Sequence, residues 1–378
     1  MAEYAILLLP SLNRVYSQTA VTLTRRELAV FDATVLGGKL ADVAETEIAG
    51  VPYVTFTAEA LTDTDLAHLA NLSSRYAMFE RVGGLLRPVT ATPLDLFGSD
   101  LLTILKYPGK TNEQFTKLLL NVTALSTDRP GDLLARKLRV LDPMCGRGTT
   151  LNQALMYGLS VAGVDIDSKD IDAYAAFLKT WLRAARIKHK AQWAPIRRNR
   201  SVLARRFDVE LAATKEQYRA GETIELTAII GDTVHIGQFF RHRSFDVLVA
   251  DAPYGVAHGS HGRSVSRSPV ELIAASAPSW AQLLRPGGAF GLSFNTHVSR
   301  RADLAAILTD AGLTVLDGPA YQGFEHRVDQ AIVRDLLVAR RESEPVPARV
   351  RPGTEPGRPD VGAEPASGDT GGVPGPVD

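Results

Sequence analysis

The 378-residue sequence has a single cysteine, Cys145, which excludes a disulfide framework. It also lacks any early apolar run able to cross a bilayer, since Tyr4 to Pro10 falls far short of the roughly 20 residues a spanning helix needs. No basic stretch precedes that run and Glu3 stands in front of it, so no cleaved leader is expected and a reducing cytoplasm is the expected location. Net charge is missing too, with 42 Lys and Arg against 42 Asp and Glu. Averaged over the chain, that balance argues against a partner held through phosphates. The balance is a cancellation, however. Residues 342–378 hold three arginines against seven acids, or −4, which leaves +4 on the rest. Of the basic residues 32 are Arg and ten Lys, a bias better attributed to a GC-rich genome than to phosphate binding.

Length predicts two folded units of ordinary size plus accessories. Residues 342–378 contain eight Pro and seven Gly with no apolar periodicity, and are expected to be a disordered acidic tail. Residues 1–92 predict a small α+β domain: strands at Tyr4 to Leu9 and Val51 to Thr57, and helices through Ser17 to Val30 and from Thr62 onward. Pro93, Gly98, Pro108 and Gly109 mark a linker or lead-in segment. Thereafter apolar runs alternate with helical stretches: Arg139 to Leu141, Val161 to Ile166, Leu226 to Ile230, Phe245 to Ala250 and Ala289 to Phe294. This alternation predicts a mostly parallel, doubly covered α/β sheet over residues 93–341. Asp142, Asp165, Asp232 and Asp251 each close one of these runs, which places four carboxylates along the carboxyl edge where open α/β sheets bind ligands.

Gly146 and Gly148 in Leu141-Asp-Pro-Met-Cys-Gly-Arg-Gly-Thr-Thr let the backbone approach a ligand closely, and the following helix offers free N–H groups. Asp165 follows Gly146 by nineteen residues at the next strand end, the distance at which an acid meets ribose hydroxyls. No third glycine completes G-x-G-x-x-G and no Gly-Lys-Ser/Thr is present, so the pocket suits a nucleoside without a polyphosphate. Val249-Ala-Asp-Ala-Pro-Tyr-Gly-Val has its own chemistry. An exocyclic amine on a base is a poor nucleophile because its lone pair is delocalised into the ring. The Asp251 carboxylate and the Ala252 carbonyl can each accept one amine hydrogen, Pro253 stiffens the turn, and Tyr254 can stack on a flipped base. The plain alternative is a strand ending in an Asx-type turn.

Together these segments resemble class I S-adenosylmethionine-dependent methyltransferases, which have a Rossmann-like sheet. Leu141 to Thr150 looks like the family's first motif, and Gly231-Asp-Thr resembles its adenine-contacting motif. Asp-Ala-Pro-Tyr, with Lys110-Thr-Asn-Glu before it, is similar to the D-P-P-Y form of THUMP-type guanine-N2 tRNA and rRNA methyltransferases. The resemblance covers roughly residues 93 to 340. It implies S-adenosyl-L-methionine as cofactor, bound by Asp142, Pro143, Gly146, Gly148, Thr149, Asp165, Asp232 and Thr233. It further implies transfer to guanine N2 in structured RNA, with tRNA as the expected target and Asp251, Ala252, Pro253 and Tyr254 at the amine. Ala252 departs from the family's second proline and leaves that peptide less restrained. A DNA amino-methyltransferase and an inactive RNA-binding member stay open as alternatives, and residues 1–92 are a candidate RNA-recognition unit.

An insertion at about 183–225 opens with nine basic residues and no acid between Arg183 and Arg206, interleaved with His189 and Trp193. Arg186, Lys188, Lys190, Arg197, Arg198 and Arg200 are the expected RNA contacts. Phe207 to Ile230 is expected to form a β-hairpin extending the sheet. Thr111 with Gln114 predicts a capping box opening a helix from about Glu113 to Leu125. His258 and His261 lack the companions of a metal site and are expected to lie in a mobile Gly/Ser loop; no metal and no membrane partner are expected.

Overall fold

A computed structural model describes residues 1–10, 14–107, 109–253 and 268–343. Tyr254, His258, His261 and the tail from residue 344 onward therefore lie outside the described residues. The amino-terminal part contains β1 (Ala2–Leu8), α1 (Arg14–Phe31), β2 (Leu40–Ile48), β3 (Val51–Ala58), α2 (Asp63–Leu69), β4 (Arg75–Val82) and β5 (Leu85–Pro88). These strands form an antiparallel sheet in the order β2-β3-β1-β4-β5. β2, β4 and β5 were not expected from sequence. Their residues are mostly half-buried or exposed, so no continuous apolar run marks them. The helix start at Thr62 is a reciprocal capping box with Asp65, two orphan backbone donors being met by two side chains.

The second sheet begins after α3 (Asp100–Thr103) and α4 (Glu113–Leu125). It comprises β6 (Arg139–Asp142), α5 (Thr149–Met156), β7 (Ser160–Asp165), α6 (Ser168–Ala184), β8 (His189–Arg198), β9 (Ser201–Leu211), α7 (Lys215–Ala220), β10 (Ile224–Ile230) and β11 (Phe245–Asp251). The rest is α8 (Pro269–Leu283), β12 (Leu284–Asn295), α9 (Arg301–Asp310), β13 (Thr314–Val315), β14 (His326–Arg327) and β15 (Val333–Arg340). The strand order is β13-β15-β12-β11-β6-β7-β10-β9-β8, with β14 added to β15. The five strands from β10 through β12 run parallel. Helices cover both faces, so β11 reads as an uninterrupted buried run that ends in half-buried Asp251. The fold is therefore a Rossmann-like mixed α/β sheet.

The insertion differs from expectation. The tight hairpin is β8–β9, turning at Asn199 and Arg200, both at positive φ (49° and 65°). Phe207 to Ile230 pairs antiparallel and extends the sheet as expected, as the end of β9 and β10, but the connection is the short helix α7, capped by Thr214 and Gln217, in place of a tight turn.

The two sheets pack into one compact unit, Met1–Glu344. The segment expected as a linker is fixed: Leu96 N–H donates to the Met156 carbonyl (2.8 Å), and the Trp181 indole donates to Asp100 Oδ2 (2.9 Å). Fully buried Glu27 of α1 accepts from Ser73 N (3.0 Å), Ser73 Oγ (2.6 Å) and Asn121 Nδ2 of α4 (2.8 Å). Tyr157 Oη donates to Asn121 Oδ1 (2.8 Å), so the network joins both sheets. Burial outweighs these hydrogen bonds and raises the Glu27 pKa.

Candidate active site

The four strand-terminal carboxylates occupy one edge because β10, β7, β6 and β11 are parallel neighbours. Each also has local work. Asp142 Oδ1 accepts from Met144 N (3.0 Å), Asp165 Oδ1 from Asp167 N (2.9 Å) and Asp232 Oδ1 from Val234 N (2.9 Å). Asp165 goes further, its Oδ2 accepting from Gly146 N (2.7 Å) across the β6–α5 loop. The loop is pinned from below as well, by Cys145 N–H on the Val164 carbonyl (3.0 Å). The Cys145 thiol is buried beneath it and held well above its usual pKa by desolvation; a Cβ at Gly163 would come within 2.7 Å of that sulfur.

Both loop glycines have positive φ, 48° at Gly146 and 79° at Gly148. A Cβ at Gly148 would meet the Tyr174 ring at 2.5 Å, whereas one at Gly146 would project into open space. The surface over Gly146 is thus a shallow bed of backbone at the amino end of α5. Pro143 is buried in the loop. Thr149, in the first turn of α5, shares a hydrogen bond with Tyr107 Oη (3.1 Å), and the Arg147 guanidinium lies 4.9 Å from the Tyr107 ring centroid. Tyr107 was not identified from sequence, because it sits in the segment read as a linker. Thr233 turns inward, its hydroxyl accepting from the Trp280 indole (2.9 Å).

Asp142 is almost fully buried and its pKa is pushed up to about 7, first by desolvation and then by the carboxylates of Asp165 and Asp251. Burial likewise raises the pKa of Asp165. Two buried acids whose hydrogen bonds do not offset burial, Asp142 and Asp165, converge on the bed, an arrangement that favours a cationic ligand. Each oxygen of a carboxylate has two lone pairs, so the Asp165 oxygens bonded to backbone keep capacity for ribose hydroxyls. These residues fit S-adenosylmethionine, which carries a sulfonium, an ammonium and a ribose.

Asp251 is held from two sides. Thr111 Oγ1 donates to its Oδ2, and Arg334 Nη2 lies 4.0 Å from the same oxygen. The Thr111 capping box expected from sequence is therefore incorrect: Asn112 is the N-cap of α4, accepting from Gln114 N (2.9 Å) and Phe115 N (3.2 Å), and Thr111 is released toward the site. Buried Arg334 comes from β15, with its guanidinium 4.3 Å from the Phe115 ring centroid. His326, the cross-strand partner of Arg334, also packs on Phe115, its ring 5.1 Å away and its pKa pushed down to about 4, chiefly by burial.

The Ala252 substitution acquires a reason. Its N–H donates to the Ser293 carbonyl of β12 (2.9 Å), a bond that proline could not form. The peptide expected to be less restrained is thus fastened to the neighbouring strand, with Pro253 exposed beyond it.

The basic residues expected as one contact surface fall at two ends of β8. His189 pairs with Leu211 and Leu211 with Ile224, so Arg186, Lys188 and Lys190 lie at the amino end of β10, away from the carboxylate edge. Lys190 there lines a groove shared with Asp208, Glu210 and Glu225. Arg197, Arg198 and Arg200 occupy the hairpin tip at the opposite end.

Residues 131–267 match the family model described as "RMKL-like, methyltransferase domain", a span that holds the glycine loop, the acidic strand ends and Asp-Ala-Pro-Tyr. This segment is a methyltransferase domain, and S-adenosylmethionine is the cofactor that goes with it. No curated protein matches the chain. Solved structures similar to it include a TehB-like SAM-dependent methyltransferase from Corynebacterium glutamicum (14% identity, TM-score 0.30), covering 55% of this chain and 80% of that one. A putative rRNA-methylase from Clostridium thermocellum shares 15% identity at a TM-score of 0.32, over 54% and 88% of the two chains. A SAM-dependent methyltransferase from Methanosarcina mazei shares 17% identity at a TM-score of 0.33, over 55% and 93%.

Proposed function

We propose that this methyltransferase acts on the exocyclic N2 amine of guanine in structured RNA, with tRNA as the favoured substrate. The observation that carries the reading is the Asp251-Ala252 corner, held by Thr111, Arg334 and Ser293 beside the bed of Asp142 and Asp165. The cofactor supplies a methyl group on a sulfonium. The chain's part is to hold the acceptor nitrogen: Asp251 and the Ala252 carbonyl draw the amine hydrogens, localise the lone pair and set its direction. With the cofactor bound, its sulfonium would supply the methyl group to the nitrogen so held, and the amine proton would leave toward a carboxylate or water. An isolated carboxylate that pivoted freely would fix no such direction, which is why the two supports on Oδ2 count for the chemistry. Guanine and RNA are supported by the resemblance of Asp-Ala-Pro-Tyr to the guanine-N2 enzymes and by the basic hairpin tip.

The test is transfer of labelled methyl from S-adenosylmethionine to total RNA from cells lacking the protein, followed by nucleoside mass spectrometry. N2-methylguanosine should appear with the natural chain and vanish with Asp251→Ala at unchanged cofactor affinity. Preferential labelling of DNA, or labelling that survives Asp251→Ala, overturns the proposal.

A further inference from the structure

The β8–β9 hairpin carries features that the cofactor site does not use. In register, Ile230 at the end of β10 lies beside both Asp165 of β7 and Arg205 of β9. β9 begins four residues earlier, at Ser201, so at about 3.3 Å per residue the hairpin projects roughly 13 Å past the level of Asp165, on the carboxylate side. Its tip is Arg197-Arg198-Asn199-Arg200-Ser201-Val202-Leu203, exposed throughout, with Val202 55% and Leu203 39% exposed. Among the described residues no acid pairs with Arg197, Arg198 or Arg200, whereas Arg206, lower on β9, is paired with Asp208 at 2.9 Å.

The backbone adds an independent sign. Two-residue turns with both φ positive favour glycine at the second position. Arg200 fills that place at φ 65°, a left-handed conformation that costs a residue with a side chain about 1–2 kcal/mol. Folding alone would be served better by glycine.

We propose that this tip is a clamp for the sugar-phosphate backbone of the RNA substrate, distinct from the basic residues at the far end of the same hairpin. The three arginines meet phosphates, and the exposed side chains of Val202 and Leu203 offer apolar surface for an unstacked base. Four strand spacings of about 4.8 Å separate β9 from β11, so the clamp sits about 19 Å from the Asp251 strand and engages nucleotides several positions from the target base. Its contribution is therefore to binding and not to the methyl-transfer step. The inference rests on the RNA reading given above for the site.

The experiment measures binding of tRNA purified from cells lacking the protein to the full chain, by fluorescence anisotropy across a salt series. Replacing Arg197, Arg198 and Arg200 with Gln should reduce the slope of log affinity against log salt by about 2, at roughly 0.7–0.9 per lost phosphate contact. Replacing Arg186, Lys188 and Lys190 with Gln should leave the slope unchanged. Arg200→Gly should raise the melting temperature while weakening tRNA binding severalfold, a pairing that loss of folding cannot produce. Equal slopes for the two triple variants, or full affinity in the tip variant, overturns the clamp. Tip-dependent tRNA binding without any methyl incorporation would preserve the clamp and defeat the RNA-methylation proposal; methylation with a tip-independent slope would do the reverse.

Discussion

Asp142→Asn separates the cost of the cofactor bed from its use. The Asp142 carboxyl is 3% exposed and titrates at about 7 in the folded chain, against 3.8 in its ordinary state. Because the folded value is raised, the contribution to stability is fully present below pH 3.8 and lost as pH rises toward 7. Integrated over that window, the loss is about 4 kcal/mol, of which about 2 kcal/mol falls between pH 5.5 and 8. Asparagine keeps the side-chain oxygen that accepts from Met144 N but does not ionise. The variant's stability relative to the natural chain should therefore be about 2 kcal/mol more favourable at pH 8 than at pH 5.5, whatever its pH-independent packing cost. Chemical denaturation of the cofactor-free protein at the two pH values measures this difference. Cofactor binding should move in the opposite sense. The cationic ligand favours the ionised acid, so affinity in the natural chain should weaken by up to about tenfold per pH unit below 7, and Asn should remove the share of that dependence due to Asp142. An identical stability difference at pH 5.5 and 8, or a flat cofactor affinity in the natural chain, refutes the reasoning.

Thr111→Val removes the hydroxyl that donates to Asp251 and should lower the rate of transfer about tenfold at unchanged cofactor affinity, in line with about 1.4 kcal/mol for a hydrogen bond to a charged group; single-turnover kinetics and calorimetry read the two quantities. Gly148→Ala forces a Cβ against the Tyr174 ring at φ 79° and should cost at least about 1 kcal/mol in denaturant unfolding, with loss of cofactor binding. Glu27→Ala leaves Ser73 and Asn121 without their shared acceptor and should destabilise the chain by about 3 kcal/mol, lowering the urea midpoint at constant slope if the two sheets unfold together.

Four of the five parallel strands were legible as apolar runs closed by an acid, and β12, which ends at Asn295, as an apolar run alone, a signal that burial on both faces writes locally. The glycine loop and Asp165 were legible for the same reason, since strand, turn and helix follow one another without interruption. Thr111 was misassigned because Thr111 and Asn112 both have capping side chains, and only the fold decides which one turns to the helix and which to Asp251. Arg334 was out of reach. It arrives 83 residues after Asp251 on an antiparallel strand, and nothing in its neighbourhood resembles a motif. The basic insertion misled in a different way, because a run dense in charge along the sequence becomes two clusters at opposite ends once it folds into a ten-residue strand.

β8 also ends the sheet, and a ten-residue strand with one side open would invite a second chain to add itself there. Pro195 withholds a backbone donor at its centre, and Lys190, Arg197 and Arg198 place like charges where an identical edge would have to approach. The cations that the hairpin presents are thus placed to disfavour edge-to-edge pairing of two copies. That placement would disfavour such pairing whatever the substrate of the site.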